Sequence, residues 1–151
     1  MVIRNEPLCA DGSPMPTLYW LVGRLQVTAV SRLEAGGGVA RAAREVDAAE
    51  LARAHRRYAE ERDGHLPAGH AGPLPSGGVG GTRVGVKCLH AHYAWHLAGG
   101  DDPVGRWVAE QLEPGHLEPG HREPGHREPG HREPGHREPG HMEPLEVAAD
   151  D

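Results

Sequence analysis

The segment Val86-Lys87-Cys88-Leu89-His90-Ala91-His92-Tyr93-Ala94-Trp95-His96 concentrates the side chains best able to do chemistry. A helix over residues 85–98 places Cys88, His92 and His96 four apart, on a stripe beside Val86, Leu89, Tyr93 and Leu97. Side chains at that spacing can reach one ion. Thiolate and imidazole are the ligands zinc prefers, and Cys9, His90 or water would complete the set. Cys88, His90, His92 and His96 are thus the candidate metal ligands, with zinc as the candidate ion. The competing reading makes Cys88 a small buried hydrophobe with the histidines on the helix rim. A third makes Cys88 a nucleophile with His92 as its base. His90 lies about 200° around a helix from Cys88 and serves poorly in that role unless the helix starts later. No catalytic cysteine signature surrounds Cys88.

Other motifs carry less. Gly77-Gly78-Val79-Gly80-Gly81-Thr82 hints at a phosphate cradle, but Val86-Lys87 follows where a P-loop needs Lys and then Ser or Thr. Arg53, Arg56 and Arg57 form a basic cluster, yet Glu60 and Glu61 follow Arg56 and Arg57 by four residues. Intrahelical pairing accounts for the cluster without nucleic acid. Six further histidines, at 116, 121, 126, 131, 136 and 141, belong to a five-residue Glu-Pro-Gly-His repeat running from Glu113 to Pro144. Extended at ~3.1 Å per residue, neighbouring repeat histidines stand about 15 Å apart, so metal binding there is weak unless the chain folds back. Their protonation near pH 6 would cancel the local negative charge.

The elements that must position these groups emerge from composition and pattern. The chain has 151 residues, of which 22 are Gly and 14 Pro, and a formal net charge of −6. Residues 1–112 hold twelve basic and twelve acidic side chains, so the net charge belongs to residues 113–151. A neutral body advertises neither a nucleic-acid surface nor a membrane patch. Proline at every fifth position forbids a continuous helix through the repeat, and residues 112–151 read as a disordered, low-complexity tail. Residues 1–111 read as one domain. Thr17-Leu18-Tyr19-Trp20-Leu21-Val22 predicts a strand that pairs with Val2-Ile3-Arg4. Leu25, Ala29 and Leu33 mark a helix ended by Gly36-Gly37-Gly38. A second helix spans about 39–62, broken near Asp47, with Leu51, His55, Tyr58 and Arg62 facing inward. Residues 64–85 hold eight glycines and three prolines and read as a mobile linker or cover. A last helix covers 103–111 and contains Trp107. The expected fold is α+β, a small N-terminal β-hairpin packed on three to four helices.

Pro16-Thr17-Leu18-Tyr19-Trp20-Leu21, Ser31-Arg32-Leu33-Glu34-Ala35 and Val86-Lys87-Cys88-Leu89-His90-Ala91 together make residues 2–109 resemble the actinobacterial family catalogued as domain of unknown function 501. The resemblance implies a small bacterial protein to which no activity is assigned. Cys88 and His90 lie within its matching motifs, and Cys9 does not.

With no apolar run long enough to span a membrane and no apolar core for a signal peptide at the N-terminus, the expected location is cytoplasmic. The expected function is a non-enzymatic module contacting a protein partner, with residues 86–96 as its contact surface. The alternative is a metal- or thiol-dependent site, enzymatic or not, using Cys88 with His90 and His92.

Overall fold

Strand β1 (Val2–Arg4) pairs antiparallel with β2 (Tyr19–Leu21) in the register Val2 to Leu21, Ile3 to Trp20 and Arg4 to Tyr19. This computed structural model describes residues 1–113; the expected tail and its six histidines lie outside the described residues. Five helices come after the hairpin: α1 (Arg24–Ala35), α2 (Gly38–Glu45), α3 (Ala48–Asp63), α4 (Leu89–Leu97) and α5 (Pro103–Leu112). The α+β hairpin-on-helices architecture is therefore as expected, with one helix more because the break near Asp47 is complete. Among the described residues no helix is long and apolar enough to cross a membrane.

Local chemistry sets the boundaries. Gly37 turns the chain between α1 and α2 at φ 81°, a left-handed conformation that glycine adopts without strain. The carboxylate of Asp47 accepts the amide of Glu50 at 2.7 Å and opens α3 as its cap. Asp102 opens α5 in the same way, with Pro103 next to it at the first helical position, where its missing donor costs nothing.

Helix α4 is the hub. Its Leu89 and Ala94 join one buried cluster with Leu21, Val30, Ala42, Leu51, Val104, Trp107 and Val108. Its Ala91 and Trp95 join a second with Leu18, Ala54, Tyr58 and Val79. A helix that feeds two clusters is covered on most sides, which explains its mixture of small and bulky apolar residues. The inward face of α3 is the expected one, Leu51, His55, Tyr58 and Arg62, joined by Ala54. The expected stripe on α1 is not. Leu25 is 83% exposed, and the face that packs on the core is Val27, Val30 and Leu33, of which Val30 is fully buried, so the helix is rotated from the stripe that Leu25 and Ala29 would mark.

The glycine-rich stretch is tied down rather than loose. The guanidinium of Arg62, 1% exposed, donates to the carbonyls of Pro75 at 3.0 Å and Gly77 at 2.8 Å. A short 3-10 turn (Val79–Gly81) then inserts Val79 into the second cluster. His55 accepts the amide of Val79 on Nδ1 and donates from Nε2 to the carbonyl of Gly85 at 3.0 Å. The stretch is a strap across α3.

Candidate functional site at the start of α4

Helix α4 begins four residues later than the spacing predicts. Cys88 is extended, at φ −149° and ψ 119°, and stands as the N-cap with no side-chain hydrogen bond to the helix. The amide of Leu89 is instead satisfied from another element: Glu34, in the last turn of α1, accepts it on Oε1 at 2.6 Å. A carboxylate at a helix start also meets the positive end of the helix dipole.

The late start breaks the Cys88, His92 and His96 stripe and brings a different group together. One ligand atom each from Glu34, Cys88 and His90 lie within 4.8 Å of one another, all on partly buried residues. Cys88 Sγ is 3.9 Å from His90 Nδ1, and Glu34 Oε2 is 3.3 Å from the same nitrogen. The other ring nitrogen of His90 faces the carbonyl of Val27 at 3.3 Å and the hydroxyl of Ser31 at 3.2 Å. A carbonyl only accepts, so Nε2 donates to Val27, and Nδ1 is the ring atom that faces Glu34 and Cys88. Burial pushes the Cys88 thiol above its ordinary range; the amide of Ala91 draws it back in part, the Glu34 carboxylate pushes it further up, and the amide of His90 opposes it. A thiol held protonated is the reverse of an activated nucleophile.

The remaining two predicted ligands are employed elsewhere. His92 is sealed in the core with Nδ1 donating to Asp102 Oδ2 at 2.7 Å, and its Nε2 is buried without a partner among the described residues. Its ring lies 5.7 Å from that of His55. Burial lowers the pKa of His55, in keeping with a neutral ring that accepts from Val79. His96 stacks on Tyr93 at 6.3 Å. Cys9 is a free thiol outside the converging group. Glu34 is the residue that sequence reasoning did not assign; its one signal was its place in Ser31-Arg32-Leu33-Glu34-Ala35, a motif far from Cys88 in the chain.

Little of residues 86–96 is available at the surface. Leu89, Ala91, His92, Ala94 and Trp95 are buried, so α4 is interior. Four of the eight exposed large apolar residues among the described residues lie on or beside the hairpin; of these Ile3 is 49% and Trp20 48% exposed, directly opposite each other across the ladder. Met1 and Val22 continue that outward face by the alternation of side chains, joined by the hydrogen bond from the Val22 amide to the Met1 carbonyl at 3.1 Å. On the hairpin's other side an open groove of about 430 Å³ is lined by Val2, Arg4, Tyr19, Gln26 and Leu97, among others. The basic cluster on α3 is not paired within its helix as expected. Arg57 reaches Asp101 at 2.8 Å, and Glu61 accepts from Tyr19 Oη at 2.6 Å and Trp95 Nε1 at 2.8 Å.

A family model described as Protein of unknown function (DUF501) matches residues 1–110. No curated protein and no solved structure matches.

Proposed function

The chain belongs to the DUF501 family over residues 1–110, a membership that assigns no activity, and from that premise we propose that it is a protein-contact module whose docking face is the outside of the β1–β2 hairpin. One observation carries this reading: the cross-strand pair Ile3 and Trp20, each about half exposed at 49% and 48%, where the other two tryptophans are buried. Leaving half of a large apolar side chain in water forgoes about half of the ~1.5–3 kcal/mol that full burial gives, and tryptophan is among the side chains most enriched at the anchors of protein interfaces. Arg24, exposed, lies two residues beyond Val22 at the edge of the patch, whereas Arg4 turns to the groove side. The partner that fits is a protein segment presenting apolar side chains with carboxylates beside them.

The test places a photo-reactive aromatic residue at Trp20 in the full chain and, as a control, at Arg53 on the far helix α3. A single protein crosslinked from position 20 only, and lost when Ile3→Ser is added, supports the reading. Ile3→Ser should itself leave stability within about 0.5 kcal/mol, because it alters an exposed position. Crosslinking that survives Ile3→Ser, or a crosslink to a second copy together with a dimer in sedimentation, overturns it.

A further inference from the structure

We propose that Glu34, Cys88 and His90 form a three-ligand site for a divalent ion of the zinc class, with the fourth position open to water or an exogenous ligand. The separations argue first. With Zn–S about 2.3 Å and Zn–N and Zn–O about 2.0–2.2 Å, a tetrahedral ion sets its sulfur and nitrogen ligands about 3.5 Å apart and its nitrogen and oxygen ligands about 3.4 Å apart. The observed distances are 3.9 Å from Cys88 Sγ to His90 Nδ1 and 3.3 Å from His90 Nδ1 to Glu34 Oε2. The third edge, from the Cys88 sulfur to the Glu34 carboxylate, lies within 4.8 Å against about 3.6 Å around a bound ion, so thiol and carboxylate close by up to about an ångström to admit it.

The support around the ligands argues second and independently. A metal-binding histidine gives its other ring N–H to a backbone carbonyl or carboxylate, which fixes the tautomer and the ring plane. His90 does this toward Val27. Glu34 is steadied at its other oxygen by the Leu89 amide, leaving Oε2 for the ion. Charge argues third. A thiolate, a carboxylate and a neutral imidazole carry two negative charges, which a divalent cation neutralises in a half-buried site. Binding converts the Cys88 thiol to thiolate and releases its proton to solvent, so no oxidant or reductant is required. The site uses two of the four ligands expected from the sequence and replaces His92 and His96 with Glu34.

Cobalt(II) is the probe, because a thiolate bound to it gives a near-ultraviolet charge-transfer band that histidines cannot produce. This separates the site from the six histidines at 116–141 in the intact chain. The full-length protein should develop that band at one equivalent of cobalt, lose it on adding zinc, and keep it in Cys9→Ser. Cys88→Ser should abolish it. His90→Gln and Glu34→Gln should each weaken cobalt affinity by at least the ~10–100-fold that a supporting residue costs, while Glu34→Gln keeps an oxygen for the Leu89 amide and so preserves the helix start. Circular dichroism reports folding; should Cys88→Ser misfold, the cobalt titrations of the other two variants decide. Cobalt bound without a thiolate band, a band that persists in folded Cys88→Ser, or unchanged affinity in both His90→Gln and Glu34→Gln overturns the site.

Discussion

His92 Nδ1 sits 2.7 Å from Asp102 Oδ2 with both side chains sealed from water, and the other oxygen of that carboxylate accepts the amides of Val104 at 2.9 Å and Gly105 at 3.1 Å. One side chain thus caps α5 and ties it to the hub helix α4. Asp102→Ala removes the cap and leaves a buried imidazole without its partner, so it should cost about 3–5 kcal/mol in urea unfolding. Asp102→Asn keeps an oxygen for the two amides and should cost clearly less. Equal losses in the two variants would show that the tie to His92, and not the cap, holds the junction.

Arg62 is the second tie. Its fork satisfies carbonyls of the strap from beneath, and a buried guanidinium is tolerated only because its donors are used. Arg62→Lys retains the charge but loses the fork. Hydrogen exchange in peptides covering residues 74–85 should accelerate at least tenfold in that variant, with α5 little changed. Unchanged exchange in the strap would place its anchor at Val79 and the two bonds from His55.

Acid should loosen the same region through His55. Its folded pKa is lowered from the ordinary value of 6.5, chiefly by burial and less by neighbouring His92, against the Gly85 carbonyl and Asp102, which raise it. The unfolded chain therefore binds the proton more readily. Stability is full above pH 6.5 and declines as the pH falls toward the lowered folded value, with a slope of at most ~1.4 kcal/mol per pH unit for one proton. Urea midpoints measured from pH 7.5 to 5 should show this decline in the wild type and a shallower one in His55→Asn, which retains an acceptor for the Val79 amide. A parallel pair of profiles would remove His55 as the source.

What could be read from the chain was whatever depends on neighbours in sequence. The Asp47 break, the hairpin partners and the inward face of α3 each result from caps, alternation and helical period acting over a few residues. The start of α4 did not, because its cap is Glu34, which reaches the Leu89 amide from fifty-five residues away. That single long-range bond fixes where the helix begins, and with it which histidine turns toward Cys88. The strap escaped for a similar reason: glycine and proline content announces a loop, while the buried guanidinium that fastens it belongs to another helix.

The closest approach of α4 and α5 gives the sharpest test of the packing. A Cβ added at Gly105 would lie 2.4 Å from His96 Cβ and 2.7 Å from the His92 carbonyl oxygen. Both obstacles belong to the backbone or its first side-chain carbon, so neither can swing aside without moving α4. Alanine improves helix propensity by up to ~1 kcal/mol, whereas overpacking costs typically ~1–3 kcal/mol, and the collision with two immovable atoms puts this site at the upper end. Gly105→Ala should therefore be net destabilising by about 1–2 kcal/mol in urea unfolding. Gly36→Ala supplies the control, since its neighbours stand at 3.5 Å and its φ is −80°. That variant should be neutral within about 0.5 kcal/mol or slightly more stable. If Gly105→Ala matches the control, α4 and α5 stand farther apart than this packing requires, and the tie between His92 and Asp102 must bridge a looser junction.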